Sequence, residues 1–208
     1  DYLGFAINET LFSKTFQLLL TESVASNGSG GSRLLSGNHK LFTRLESQLA
    51  TFYKSNAALV FNSGYDANIG LFSTLPQKGD LVFYDEYIHA SIREGLRLSN
   101  AKSYSFSHND LASLKEKIAL NVARNEHETY SVFNNGEGMV PLLKLEKDVF
   151  ARTVTFGKGF GCHGAAILGS EDLKDYLVNF AKSFIYTTGL TPHSLATIIT
   201  AHEFLDEL

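Results

Sequence analysis

TVTFGKGFGCHGAAILGS, residues 153–170, is the stretch from which the chain is read. One lysine, Lys158, stands between Gly157 and Gly159, and Gly161 and Gly164 follow closely. Apolar residues precede it (Val149, Phe150, Val154) and a second apolar run follows at 165–168. This is the pattern of a strand, a tight glycine-walled turn and a second strand. Glycine lets other atoms approach the backbone closely and permits positive φ. A lysine held beside apolar walls is expected to be partly desolvated, which disfavours the ammonium and makes a nucleophilic amine. Two readings follow from these residues, a Schiff-base lysine and a surface lysine in a glycine-rich hairpin, and the second is the commoner use of such a turn.

Outward from this turn, the rest of the chain reads as alternating strands and helices. Residues 57–61 form a short buried strand that runs through Asn62-Ser63-Gly64-Tyr65 into a helix ending near residue 75. A strand, a Ser-Gly turn and a helix start make a seat for an anion, because free N–H groups and the helix dipole converge there. Strands are expected at 81–84 and 101–106. Each is followed by a helix, the first opened by His89 and the second capped by Asn109 or Asp110 with Leu111, Leu114 and Ile118 inward. Such βα units argue for a mostly parallel sheet. Further helices are expected at 11–20, at 40–54 with Leu41, Leu45, Leu49 and Phe52 on one face, and at 171–182 with Leu173, Leu177 and Phe180 on one side. Pro192 starts a last helix that runs through Leu208. Residues 26–32, SNGSGGS, are by composition a flexible linker or an anion-binding nest. His39, His89 and His108, each beside a helix start, are first read as caps or packed residues.

The composition is that of an ordinary globular chain: 208 residues, 44% hydrophobic and 19% charged. A net charge of −4 supplies no basic field for nucleic acid or an anionic membrane, so neither is expected as a partner. Cys162 is the single cysteine, which excludes an internal disulfide and favours the cytoplasm; it reads as a small filler in the lysine turn. No run of about 18 apolar residues marks a transmembrane helix, and no metal site is expected.

Four stretches carry a family resemblance in one order: GSGGSRLLSGNH (28–39), SGYDANIGL (63–71), DEYIHASIREGLRLS (85–99) and the lysine stretch TFGKGFG with GAAILGS. Together they resemble the α-oxoamine synthases, enzymes that depend on pyridoxal 5′-phosphate, and the likeness covers nearly the whole chain. It implies an α/β fold of the aminotransferase-like fold type I, with a mostly parallel central sheet flanked by helices. It implies an N-terminal segment and Gly-rich loop at 1–30 and a cofactor-binding large domain at 31–190. Residues 191–208 would begin a helix leading to a small C-terminal domain absent here. The Gly-rich loop becomes an ordered loop near the active site and the subunit contact.

The resemblance also implies site roles. Lys158 would carry the cofactor as a Schiff base and act as the base at the amino acid α-carbon. His89 would stack on the cofactor ring, on the substrate side. The amides of Gly64 and Tyr65 and the side chain of Thr155 would hold the phosphate. Thr187 and Thr188 would reach the phosphate of the partner subunit across a homodimer, although two β-turn threonines explain them locally as well. The implied reaction joins alanine to a pimeloyl thioester, on coenzyme A or an acyl carrier protein, with loss of carbon dioxide, in biotin synthesis. Another synthase of the group, using glycine or serine, and an inert partner subunit are the alternatives.

The pattern breaks between Tyr130 and Val154. Asn134 stands where the family has a serine, and the following turn is NNGEG. The helix and strand that the family places next, ending in Asp-x-x-His, are missing. A chain without a central strand would expose its core, so internal segments left out of a longer protein are expected rather than a true deletion.

Overall fold

The computed structural model describes residues 1–122, 128–132, 140, 144–145 and 147–207. The NNGEG turn, with Asn134, lies outside these residues, as do Pro141 and Leu208. A 3₁₀ turn (Phe5–Ile7) and α1 (Glu9–Thr21) lead to α2 (Lys40–Phe52), β1 (Ala57–Phe61) and α3 (Gly64–Thr74). Then come β2 (Leu81–Asp85), α4 (Ala90–Leu98), β3 (Lys102–Phe106), α5 (Leu111–Val122) and β4 (Thr129–Val132). The lysine region contributes β5 (Arg152–Thr155) and β6 (Ala165–Gly169), followed by α6 (Glu171–Phe180), α7 (Lys182–Ile185) and α8 (Pro192–Asp206). The chain forms two compact units, one of Asp1–Ala67 with Val140–Leu208 and one of Asn68–Met139.

In the first unit the sheet order is β1-β6-β5, and both ladders are antiparallel. The expected strand–turn–strand around Lys158 is therefore the β5–β6 hairpin. Val60, Ala166 and Leu168 join Leu41, Leu45 and Leu49 of α2 and Leu195, Ile198 and Ile199 of α8 in one core. These helices bury the stripe that their apolar spacing defines. Side-chain caps fix the helix starts: Asn8 accepts from the Leu11 N–H, Ser170 from Leu173 and Thr191 from Ser194. α1 is tied to α8 by the buried Thr15–Thr200 hydroxyl pair at 2.8 Å and by Lys14–Glu207 at 2.6 Å. Its Phe12, Phe16 and Leu20 are exposed. α6 is shorter than expected because Ala181 is extended and breaks it from α7, which leaves Phe180 exposed while Leu173 and Leu177 are buried.

In the second unit the order is β3-β2-β4, and both ladders are parallel. Side chains alternate along β2. Val82 packs with Ile88, Ile92 and Leu96, whereas Leu81 and Phe83 pack with Phe106 of β3 and Leu114 of α5. The fold is thus α/β, with the parallel pairing concentrated in β2–β4. β1 pairs instead with β6, which runs back along it. Asp110 caps α5 by accepting from the Ala112 and Ser113 amides. Leu111, expected inward, is exposed at the first turn.

His108 is structural, as its local sequence suggests. It donates from Nδ1 to Asp85, 2.9 Å away at the end of β2. Burial raises the Asp85 carboxyl pKa, but the amides of Asn109 and Tyr87 and the His108 ring outweigh it and hold it below the usual carboxylate range.

In the first unit, His202 of α8 is wholly buried. Its Nδ1 bonds the Ile198 carbonyl at 2.9 Å, and its Nε2 has no partner among the described residues. Its ring stacks on Phe160 at 4.3 Å and meets the edges of Phe52 and Phe156. Burial lowers its pKa, against the weaker opposing pulls of the Ile198 carbonyl and Asp206. The unfolded chain then takes up a proton, at a pKa of about 6.5, that the folded chain refuses. Stability is therefore lost as pH falls below that value. Thermal unfolding should show a midpoint that drops between pH 7.5 and 5.5, and His202→Phe should make the slope shallower. An unchanged slope in the variant would remove His202 as the cause.

Candidate active site

Two strand ends set the site in the first unit. Phe61 of β1 and Thr155 of β5 both lie opposite Ala165 of β6. Both strands run antiparallel to β6, so they run the same way and finish level. The chain leaves β1 through Asn62 and Ser63 into α3, and leaves β5 through Phe156 and Gly157 to Lys158. The two segments approach closely: a Cβ on Gly64 would sit 2.6 Å from the Thr155 methyl, Cγ2. A side chain at 64 would force Thr155 to shift. Ser63 caps α3 by accepting from the Asp66 N–H at 3.0 Å, and donates to the Asp66 carboxylate at 2.8 Å. Gly64, the first helical residue, has no intrahelical acceptor for its N–H. The end of the helix dipole, a bare glycine and a threonine side chain thus meet, an arrangement suited to a small anion.

Lys158 occupies the turn between β5 and β6. The turn is fastened by the Cys162 N–H donating to the Phe156 carbonyl at 2.8 Å and the Phe156 N–H donating to Gly164 at 3.0 Å. The backbone of residues 158 and 159 is also held, because their carbonyls accept from the Tyr2 and Leu3 amides, each at 3.1 Å. Gly161 has φ 62° and a Cβ there would lie 2.7 Å from the Asp1 carboxylate, so both conformation and space call for glycine. The desolvated lysine expected from the sequence is not found: the Lys158 side chain is exposed. The flanking glycines have no side chains to cover it. Cys162 is half-buried, and burial pushes its thiol up to about 11, which suits a filler and not a nucleophile.

Thr187 is half-buried and Thr188 exposed, both in the segment after α7. Asn62 Nδ2 donates to the Thr188 carbonyl, Ser32 bridges Thr188, and the Gly189 N–H donates to Gly31 at 3.0 Å. The Gly-rich loop is therefore tied to the segment carrying the two threonines and is no free linker. Tyr65 is exposed at the start of α3. His89 belongs to the second unit, where it is the N-cap of α4 and its Nδ1 accepts from the Ser91 N–H at 3.2 Å. The first reading of His89 as a cap describes what its ring does at the start of α4. His39, in contrast, packs edge-on to Phe42 and makes no side-chain cap. Burial, then the nearby Arg33 charge, lowers its pKa.

The sequence reading missed Glu46. This carboxylate, 6% exposed, pairs with Arg33 Nη1 at 2.6 Å and Lys174 Nζ at 3.0 Å. It also accepts from the Val60 N–H at 3.0 Å, while Arg33 donates to the Val60 carbonyl at 3.1 Å. Among the described residues β1 has a strand partner on one side only. The ion pair serves its other side as a neighbouring strand would. The Arg33 guanidinium also lies 4.0 Å from the Phe42 ring centroid. A signal was present in the sequence: Glu46 falls on the same face of α2 as Leu41, Leu45 and Leu49, where a charge calls for a buried partner.

A family model described as aminotransferase class I and II matches residues 1–126 and 127–208. An 8-amino-7-oxononanoate synthase of Emericella nidulans is 38% identical over 229 residues, covering 86% of this chain and 56% of the relative. One from Geotalea daltonii is 36% identical over 244 residues, covering 99% of this chain and 61% of the relative. The solved serine palmitoyltransferase of Sphingomonas wittichii superposes with a TM-score of 0.87 at 25% identity, covering 98% of this chain and 60% of that one. The chain spans about three fifths of the length of the curated relatives it matches. The second alignment, 244 positions, is longer than the 208 residues present, so that relative has internal residues where this chain has none.

The Gly64–Thr155 approach can be tested by its sign. Alanine in place of glycine at a helix start should ordinarily stabilise. Here Gly64→Ala is expected to cost about 1–3 kcal/mol in urea unfolding through overpacking. Adding Thr155→Ser, which removes the methyl and keeps the hydroxyl, should recover most of the loss. No recovery would place the strain elsewhere.

Proposed function

The chain belongs to the aminotransferase class I and II family, and from that premise we propose that it is a pyridoxal-phosphate-dependent α-oxoamine synthase. The proposed reaction condenses L-alanine with a pimeloyl thioester, on coenzyme A or an acyl carrier protein, and releases carbon dioxide and the thiol. The product is 8-amino-7-oxononanoate, which places the enzyme in biotin synthesis. The observation that carries this reading is the levelling of β1 and β5 opposite Ala165, which puts the start of α3 and the lysine turn at one edge of one sheet. The names of the two relatives support the substrates.

The residues fit the cofactor. Gly64 lets Thr155 come against the helix start, where a phosphate would be held by the Gly64 and Tyr65 amides and the Thr155 hydroxyl. Bound pyridoxal phosphate supplies an electron sink for the pair left on the amino acid α-carbon. Lys158 would hold the cofactor through its Nζ, and the same amine, when free, would take the α-proton of the amino acid. Its exposure, on a turn whose backbone is fastened, suits an amine that must be reached and then move aside. His89 would lie flat beside the ring and hold its plane. Thr187 and Thr188 would contact the phosphate of a second copy, in a homodimer with the site at the interface.

A second reading keeps the chemistry and changes the substrates: serine, or glycine, with another acyl thioester. The serine palmitoyltransferase match favours it. Full-length protein with pyridoxal phosphate should release thiol from pimeloyl thioester with alanine, faster than with serine or glycine. Lys158→Ala should lower that rate by at least about a thousandfold, on the scale of a lost proton-transfer group. Faster turnover of serine with palmitoyl thioester would establish the second reading. No cofactor uptake would exclude both and favour an inert partner subunit.

A further inference from the structure

His89 sits on a built polar relay within the second unit. Asn68 of α3 and Ser91 of α4 are both buried, at 8% and 0% exposure, while the His89 ring is exposed. Asn68 Nδ2 donates to Ser91 Oγ at 2.9 Å, and Ser91 Oγ lies 2.7 Å from His89 Nδ1. The Ser91 backbone N–H, 3.2 Å from the same nitrogen, can only donate. Nδ1 is therefore an acceptor. A proton there would face the amide proton head-on. The Ser91 hydroxyl accepts from Asn68, so its own proton is directed to Nδ1. Two donors thus converge on one ring nitrogen and leave the ring proton on Nε2, at the open edge.

The helices come close enough for this because Gly95 has no side chain. A Cβ there would lie 2.9 Å from Phe72 Cβ and 3.0 Å from the Asn68 carbonyl. Asn68 is thereby held within reach of Ser91.

We propose that Asn68 and Ser91 are positioning residues that fix the ring plane of His89 and its Nε2–H tautomer. The use of that fixed ring beside the cofactor rests on the functional reading above; the tautomer does not. The hydrogen bond from a backbone amide sets which nitrogen accepts. The buried hydroxyl, oriented by Asn68, adds the second donor that stops the ring from turning.

The test is a long-range ¹H–¹⁵N spectrum of full-length protein labelled with ¹⁵N-histidine, with His89 assigned from His89→Gln. Wild type should show His89 as a single Nε2–H tautomer without cofactor. In Ser91→Ala the second tautomer should appear, and kcat should fall about tenfold with little change in KM, the scale of losing a partner that orients a functional imidazole. Ser91→Thr, which keeps the hydroxyl, should restore both. An Nδ1–H or mixed wild-type spectrum would overturn the proposal whether or not the variants fold. So would a pure Nε2–H spectrum in Ser91→Ala. A correct tautomer whose signals do not move when pyridoxal phosphate is added would instead count against the functional reading and leave the relay standing.

Discussion

The candidate site depends on β6. One strand pairs antiparallel with β1 on one side and β5 on the other, and a single residue, Ala165, faces both Phe61 and Thr155. Neighbouring strands lie about 4.8 Å apart, so two strands with one shared neighbour finish within a side chain's reach of each other. That alignment brings the start of α3 against the end of β5 and makes a side chain at Gly64 costly. A slip of one residue in either ladder would move the pair out of level and turn every side chain to the opposite face. The register is well specified because alternate residues of β1 and β6, Ala58, Val60, Ala166 and Leu168, join one core.

A second constraint comes from charge. Arg33, Glu46 and Lys174 join the Gly-rich loop, α2 and α6, and the pair formed by the first two satisfies both backbone groups of Val60. Desolvating such a pair is costly, and its worth lies in geometry more than in stability. Truncating one partner would leave the other buried and unpaired. Here the geometry ties the loop to the strand that ends at the site. Through Ser32 and Gly31 it also reaches the segment of Thr187 and Thr188. The loop whose composition reads as a linker is thus held by hydrogen bonds at several points.

Much of this was legible in the sequence, for identifiable reasons. The hairpin around Lys158, the bounds of β1 and the buried stripe of α2 follow from local periodicity and glycine placement. The structure agrees on the hairpin, on β1 and on Leu41, Leu45 and Leu49 of α2, while Phe52 at the helix end is only half-buried. The register at Ala165 was not legible, because pairing between segments a hundred residues apart leaves no local mark. Phe180 and Leu111 were read inward and lie exposed, since apolar spacing at a helix end does not show where the helix stops. Lys158 was read as desolvated, yet glycine walls leave it open. The direction of the His89 tautomer needed distances, although the residues that set it, Asn68 and Ser91, stand in two of the four stretches that carry the family resemblance.

The central claim is that the amine at the β5–β6 turn is the covalent anchor for pyridoxal phosphate. Full-length protein incubated with pyridoxal phosphate, reduced with borohydride, digested and mapped by mass spectrometry tests it directly. The account predicts one phosphopyridoxyl group per chain, on Lys158. A label on another lysine, or none on a folded protein, would contradict it.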